Sequence, residues 1–438
     1  MGISLQHEME PLLTKLGQVA ETAFEDREPY GESPDVLRQN LKIFNNDLSS
    51  LMTRFRGYYS LDGHNLDALA DRFAEHSDQW QTPTGNSVYC AIARAADGID
   101  EVEKLIHLGE WNGTGADSFY HNFLSPFKDT AVTHVACAVE LAIGAKALGE
   151  GVERTKECVV WICKDLISLL GGDSDPGPLP GAEKESGYKE DAGFAAILAD
   201  TVALLKALLA PEVEVFDASL AALGVGGGLI AESKSSGHGN SLHINPGDYS
   251  ALSLVRNTWL TLDRLDKNIG ALDEKIDQGL ETDLGKSGPF GSPSARMKSK
   301  SPVQPSAYGQ LNDTGHNVQV VVDVVQLYYA GYSILPVAAG WYDFGTKICA
   351  AAHIDGVQKQ FPRAVGKYNE TVPTFGGLLA TVRDDITASA GAMVKAATTY
   401  RDADQNEAGR IKTLESQIPS PGNFSGVEHY TPPEWLQP

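Results

Sequence analysis

Apolar residues recur along this chain at alternating spacings of three and four, the period of a helix with one buried stripe. Val88, Ile92, Ala95, Ile99, Val102 and Ile106 form one such stripe. Leu66, Leu69, Phe73 and Trp80 form a shorter one before it, ended by Pro83 and Gly85. Val152, Thr155, Val159, Ile162, Leu166 and Leu169 line a long helix expected from about 130 to 170, behind a bend at Pro126. This third stripe suits an antiparallel partner for the helix at 86–109. Earlier helices are expected around 3–26 and 34–60.

The helical pattern returns at 191–222, broken at Pro211, and again from about Pro246. Further on, an apolar segment at 318–340 leads into a helix at 341–368, a turn at 370–377 (ETVPTFGG) and a last helix at 378–414. Leu379, Val382, Ile386, Met393, Ala396, Tyr400 and Ala403 share one face of it. No segment reads convincingly as strand. The expected fold class is all-α, an elongated helical bundle of long antiparallel hairpins joined by flexible linkers.

Breaker-rich stretches divide the chain further. The expected organisation is an N-terminal helical region at 1–170, a linker at 171–190, a helical segment at 191–223 and a Gly/Ser linker at 224–245. A second helical region follows at 246–414 with a disordered insert at 284–306, then a Pro-rich tail at 415–438.

Composition narrows the function classes. With 42% hydrophobic and 21% charged residues over 438 positions, the chain can bury a substantial core, which excludes wholesale disorder. A net charge of −23 repels phosphate backbones and argues against nucleic acid as a partner. The opening MGISLQHEMEPLLTKLG lacks the basic start and unbroken apolar core of a cleaved signal peptide. Cys90, Cys137, Cys158, Cys163 and Cys349 fall inside apolar helical patterns and read as buried thiols.

Catalytic motifs fail one by one. Gly224, Gly226, Gly227 and Gly228 are followed by Leu229 and Ile230, not by the lysine and hydroxyl of a phosphate loop or the third glycine of a dinucleotide fingerprint. No serine sits in a Gly-x-Ser-x-Gly elbow. His238 and His243 stand in a Gly/Ser stretch without further ligands, and Asp173 and Asp175 lack the remaining oxygens of a calcium loop. Lys286, Arg296, Lys298 and Lys300 make a basic island that reads as a solvated linker or as a contact for an acidic partner or lipid. No catalytic residue, cofactor or metal site is nominated.

Two short motifs remain. Trp111-Asn112-Gly113 falls between two amphipathic helices, where Gly permits a tight reversal and the indole can cover the apolar end. Tyr400 and Asp404, four apart near the end of the last long helix, share one face and pair an aromatic surface with a carboxylate. Together they resemble the WXG superfamily of proteins exported by type VII (ESX) secretion systems, as a large multi-helix member. Members are helical hairpins with Trp-x-Gly at the turn, and a Tyr-x-x-x-Asp/Glu signal commonly follows the second helix. The resemblance covers about residues 64–170 well and 341–412 loosely, and the two motifs here lie far apart instead of on one hairpin. The second region has Thr374-Phe375-Gly376-Gly377 where a Trp-x-Gly turn would fall.

The resemblance implies a non-enzymatic protein, secreted or cell-surface after a cytoplasmic stage, recognised through Trp111, Gly113, Tyr400 and Asp404 by the secretion ATPase. It implies a WXG-type partner or self-association, and an extracellular structural, oligomeric or protein-binding role. Two rival readings are a pore-forming or membrane-acting protein, motivated by 318–340, and an intracellular scaffold.

Overall fold

The computed structural model describes residues 4–27, 33–74, 86–107, 114–180, 194, 196–208, 228–229, 241–247, 250–297 and 323–403. Among the described residues the regular structure is helical throughout, as the apolar periodicity leads one to expect. α1 (Leu5–Arg27) and α2 (Pro34–Arg56) pair antiparallel. Phe24 stacks on Phe44 at one end, with ring centroids 4.7 Å apart, and Arg56 Nε donates to Glu10 Oε1 at 3.0 Å at the other.

α3 (Leu66–Phe73) lies on the long helix α6 (Ser125–Leu169), where Lys146 Nζ donates to Asp67 at 2.7 Å. α4 (Val88–His107) and α5 (Thr114–Phe119) precede α6. Later elements are α7 (Ile197–Leu208), α8 (Ala251–Leu284), α9 (Val324–Tyr329), α10 (Leu335–Ala351) and α11 (Pro362–Ala403). One continuous apolar core runs through them, from Leu5 to Ala397, so helices of the N-terminal and second helical regions share it.

The helix ends follow capping chemistry. Ser250 accepts from Ser253 N to start α8, and Asp323 accepts from Val325 N and Gln326 N to start α9. α6 closes with Gly172 N donating to Ile167 O and Gly171 N to Ser168 O, both at 2.9 Å. That pairing needs a left-handed residue, which Gly171 supplies at φ +92.

At Pro126, where a bend was expected, the helix continues through a local change of hydrogen bonding. A π-turn at Tyr120–Leu124 joins α5 to α6, and Ser125 N donates to Tyr120 O, five residues back. The wider turn opens the site where the ring of Pro126 would strike the preceding carbonyl. The same device recurs at Ala330–Ile334, where Leu335 N donates to Ala330 O just before Pro336.

Several other expectations need correction. The turn expected at 370–377 is uninterrupted helix within α11. Pro373, Thr374 and Gly377 face solvent while Val372, Phe375 and Leu379 are buried, so burial of one face outweighs the breakers on the other. The break falls instead between α10 and α11, where Gly356 takes a positive φ of 75. The insert at 284–306 is not disordered through 297: Phe290, Ala295 and Met297 are buried, and Phe290 N donates to Asp283 O at 3.1 Å. The Gly/Ser linker at 224–245 likewise places Leu229, Leu242 and Ile244 in the core.

The stripe of α4 is buried as expected from Val88 to Val102; α4 does meet α6, where Lys128 pairs with Glu103, but it packs chiefly on α10. Gly98 lies against Ile334 and Ala338, whereas the 152–169 stripe of α6 meets other elements, with Gly63 against Val152 and Arg27 Nη1 donating to Leu169 O. A stripe fixes which face is buried, not which helix buries it.

Candidate functional site

α4 and α11 flank α10 and run in the same direction. Val88 lies against Gly345, and ten residues later Gly98 lies against Ile334 and Ala338, so α4 is antiparallel to α10. Gly376 faces Cys349, Leu379 faces Gly345 and Met393 faces Gly331, so α11 is antiparallel to α10 as well. At 1.5 Å of rise per residue, His107 and Tyr400 then finish within about one helical turn of the same height. α6 starts at this end too, since Lys128 Nζ pairs with Glu103 and, at 3.4 Å, with Asp100 of α4.

This bundle end collects the neighbourhoods of both motifs. Trp111, Gly113 and Asp404 lie outside the described residues. Trp111 and Gly113 fall in the chain between the last residue of α4 and the first of α5, and Asp404 follows the last residue of α11. Tyr400 is described: it sits in the final turn of α11, half-buried against the apolar core. Its ring is therefore only partly available to a docking partner.

The apolar segment at 318–340 lies outside the described residues as far as 322. From Asp323 onward it is a capped helix, a π-turn and the start of α10, with Val324, Leu327, Leu335 and Ala338 buried. Among the described residues, the helix long and apolar enough to cross a membrane is another, Tyr120–Leu169, and 83% of its apolar window is buried inside the bundle.

The interior holds titratable groups that the motif search passed over. His134 of α6 is fully buried against Tyr342 and Phe375, with ring centroids 5.8 Å away in each case. Its Nε2 lies 2.9 Å from Ala295 O, which requires the proton on Nε2 and leaves Nδ1 a buried acceptor with no hydrogen-bond partner among the described residues. Burial pushes its pKa down to about 4, against a weaker upward pull from the Ala295 carbonyl. The hydroxyls of Tyr342 and Tyr368 are buried without partners among the described residues. Two turns along α6, Glu140 is buried beside Asp283 of α8. All five cysteines are free and buried, and burial raises the thiols of Cys137, Cys158, Cys163 and Cys349.

His243 stacks edge-on to Trp161, and among the described residues no three His, Cys, Asp or Glu side chains gather as metal ligands. The sequence carried one hint of the buried acid, since Glu140 stands alone in the apolar run CAVELAIGA of α6. No protein-family model, curated protein or solved structure matches this chain.

Proposed function

We propose that this all-α protein is a non-enzymatic substrate of an ESX-like type VII secretion system. Trp111 and Gly113 on one side, and Tyr400 and Asp404 on the other, contribute to a composite surface read by the secretion ATPase. The observation that carries the reading is the shared bundle end: α4 and α11, both packed on α10, terminate at about the same height although their motifs are far apart in the chain. That shared height supports joint recognition in spite of the separation in sequence, the main departure from a simple Trp-x-Gly hairpin. After export the helical faces serve a structural, oligomeric or protein-binding role.

The test is export from producing cells with and without the ESX ATPase, comparing wild type with Tyr400→Ala and Asp404→Ala. Because Tyr400 is half-buried, each variant is first checked by thermal melting. Retention inside the cell of a folded variant supports the signal. Unchanged export of both folded variants removes it, and ATPase-independent release of wild type removes the system.

A further inference from the structure

Most apolar side chains of α9 and α10 are buried, but two large ones on their outer surface are not. Tyr329 is 41% exposed and Val337 is 44% exposed. Eight residues apart on an unbroken α-helix, they would point about 80° away from each other. The π-turn at Ala330–Ile334 takes up one extra residue, which brings the two to within about 20° and onto one face. They stand about two turns apart along it.

α4 forms a wall beside this face. Arg94 lies over the Trp341 ring at 4.5 Å and Gly98 lies against Ile334 and Ala338, so the antiparallel register sets Asp97 about level with Val337, and Glu101 with Ser333. Leu105, one turn further, comes level with Tyr329 and packs partly buried against the core. Asp97 and Glu101 are exposed beside the row that touches α10, whereas Asp100 and Glu103 turn to Lys128 of α6. Partial burial holds the Asp97 carboxyl above the usual carboxylate range, with Asp100 and Glu101 adding to the rise and Lys104 opposing it. The groove thus has an apolar floor at Tyr329 and Val337, an acidic wall, and an end closed by Arg94 on Trp341.

We propose that this groove docks an amphipathic helix of another protein, which seats apolar anchors at i and i+7 over Tyr329 and Val337 and lays a lysine or arginine flank against Asp97 and Glu101. Charge decides the occupant. A second copy of this chain, at a net charge of −23, brings a like field against the acidic wall, and an anionic lipid surface does the same. A basic helix gains from the apolar floor and from the wall together. The groove stands whether or not the chain is exported, and it opens toward the bundle end at which α4 and α11 finish.

Fluorescence anisotropy on the full chain tests the groove, with a synthetic Leu/Lys peptide of about 18 residues whose leucines line one helical face. One control scrambles the same composition so that no stripe remains, and a second keeps the stripe with Glu in place of Lys. The striped Leu/Lys peptide is expected to bind at least about tenfold more tightly than either control. Val337→Ser is expected to weaken it about tenfold, and Asp97→Asn combined with Glu101→Gln to weaken it several-fold and flatten its salt dependence. All three positions are exposed, and thermal melting confirms that each variant is folded. A scrambled peptide that binds as well as the striped one overturns the proposal, because attraction to an acidic protein then suffices. Wild-type affinity in Val337→Ser overturns it too. So does a dimer in sedimentation, or binding to phosphatidylcholine vesicles, that Val337→Ser abolishes, since either gives the face to a different occupant.

Discussion

Glycine lets backbones close in at two places in this bundle, and the two joints are sealed differently. At the α9–α10 junction, Gly331 presses on α11 at Ala390, Met393 and Val394. At a slot between α6 and α8, Gly279 and Gly228 meet with comparable closeness, but the contact ends on the carboxyls of Glu140 and Asp283. Nearest Gly331 the first joint offers the Met393 side chain and α11 backbone, whereas the second ends on buried carboxyls, of which Asp283 is held by burial well above the usual carboxylate range. Close packing alone therefore does not tell an apolar joint from one that closes on ionisable groups; the polar groups at its end do.

The largest effect should come from breaking the apolar joint. A Cβ at Gly331 would fall 2.8 Å from Met393 Cβ and 2.9 Å from both Ala390 O and Val394 N. These atoms belong to or adjoin the backbone of α11 and do not swing aside. Gly331→Ala is expected to cost about 1–3 kcal/mol of global stability in denaturant titrations. Gly279→Ala strikes mostly the side chain of Leu229, so it should lower the hydrogen-exchange protection of the Leu229 amide more than it lowers global stability. If Gly331→Ala melts like wild type, the α10–α11 contact is looser than described.

Next in size is the pH dependence of stability, where His134 and Asp283 oppose one another. Burial holds His134 down to about 4 and Asp283 up to about 7. Unfolded, they titrate near 6.5 and 3.9. Between about pH 4 and 6.5 the unfolded chain carries the proton on His134, and the native chain carries it on the carboxyl pair of Asp283 and Glu140, so the two contributions oppose each other. His134→Gln leaves the Asp283 contribution alone, and stability should then fall as pH rises from about 4 to 7. Asp283→Asn leaves His134 alone, and stability should fall as pH drops from about 6.5 to 4. Each slope approaches about 1.4 kcal/mol per pH unit relative to wild type. Chemical denaturation across that range measures both, and two variants with the wild-type profile would end the account.

Smaller still is the effect of a buried hydroxyl. Tyr342 and Tyr368 each bury an O–H with no partner among the described residues. Removing it spares a desolvation penalty without opening a cavity, so Tyr342→Phe and Tyr368→Phe should each raise stability by about 1 kcal/mol. A loss of similar size would instead put a bridging water at the hydroxyl.

How much of this was legible depends on the kind of signal. Periodicity carried the helices and their buried faces, because Val88, Ile92, Ala95, Ile99 and Val102 all point into the core. It did not carry partners, since the same stripe would serve against α6 or α10. Local breaker chemistry misled at Thr374–Gly377, where Phe375 and Leu379 anchor α11 whatever their neighbours prefer. It misled again around Phe290 and Met297, whose apolar residues are too sparse to make a period yet are buried. The two motifs were legible as residues, but the common height at which α4 and α11 end was not, because only the packing of both on α10 sets it. The acid pair was half legible: Glu140 is conspicuous in an apolar run, while Asp283 at the end of α8 reads as a surface charge.

The smallest expected effect separates crowding from glycine itself. Gly391 is exposed in the same helix as Met393, and a Cβ there would meet nothing within 4 Å. It lies on α11 between Ala390 and Ala392, in helical conformation, so alanine adopts its geometry without strain. Glycine in a helix interior costs up to about 1 kcal/mol relative to alanine through the freedom it loses on folding. Gly391→Ala should therefore stabilise the protein by about 0.5–1 kcal/mol, opposite in sign to Gly331→Ala only a helix away. Were both substitutions destabilising, the cost at Gly331 would reflect a general intolerance of α11 to change, and its contrast with the carboxyl-ended slot would lose its reference point.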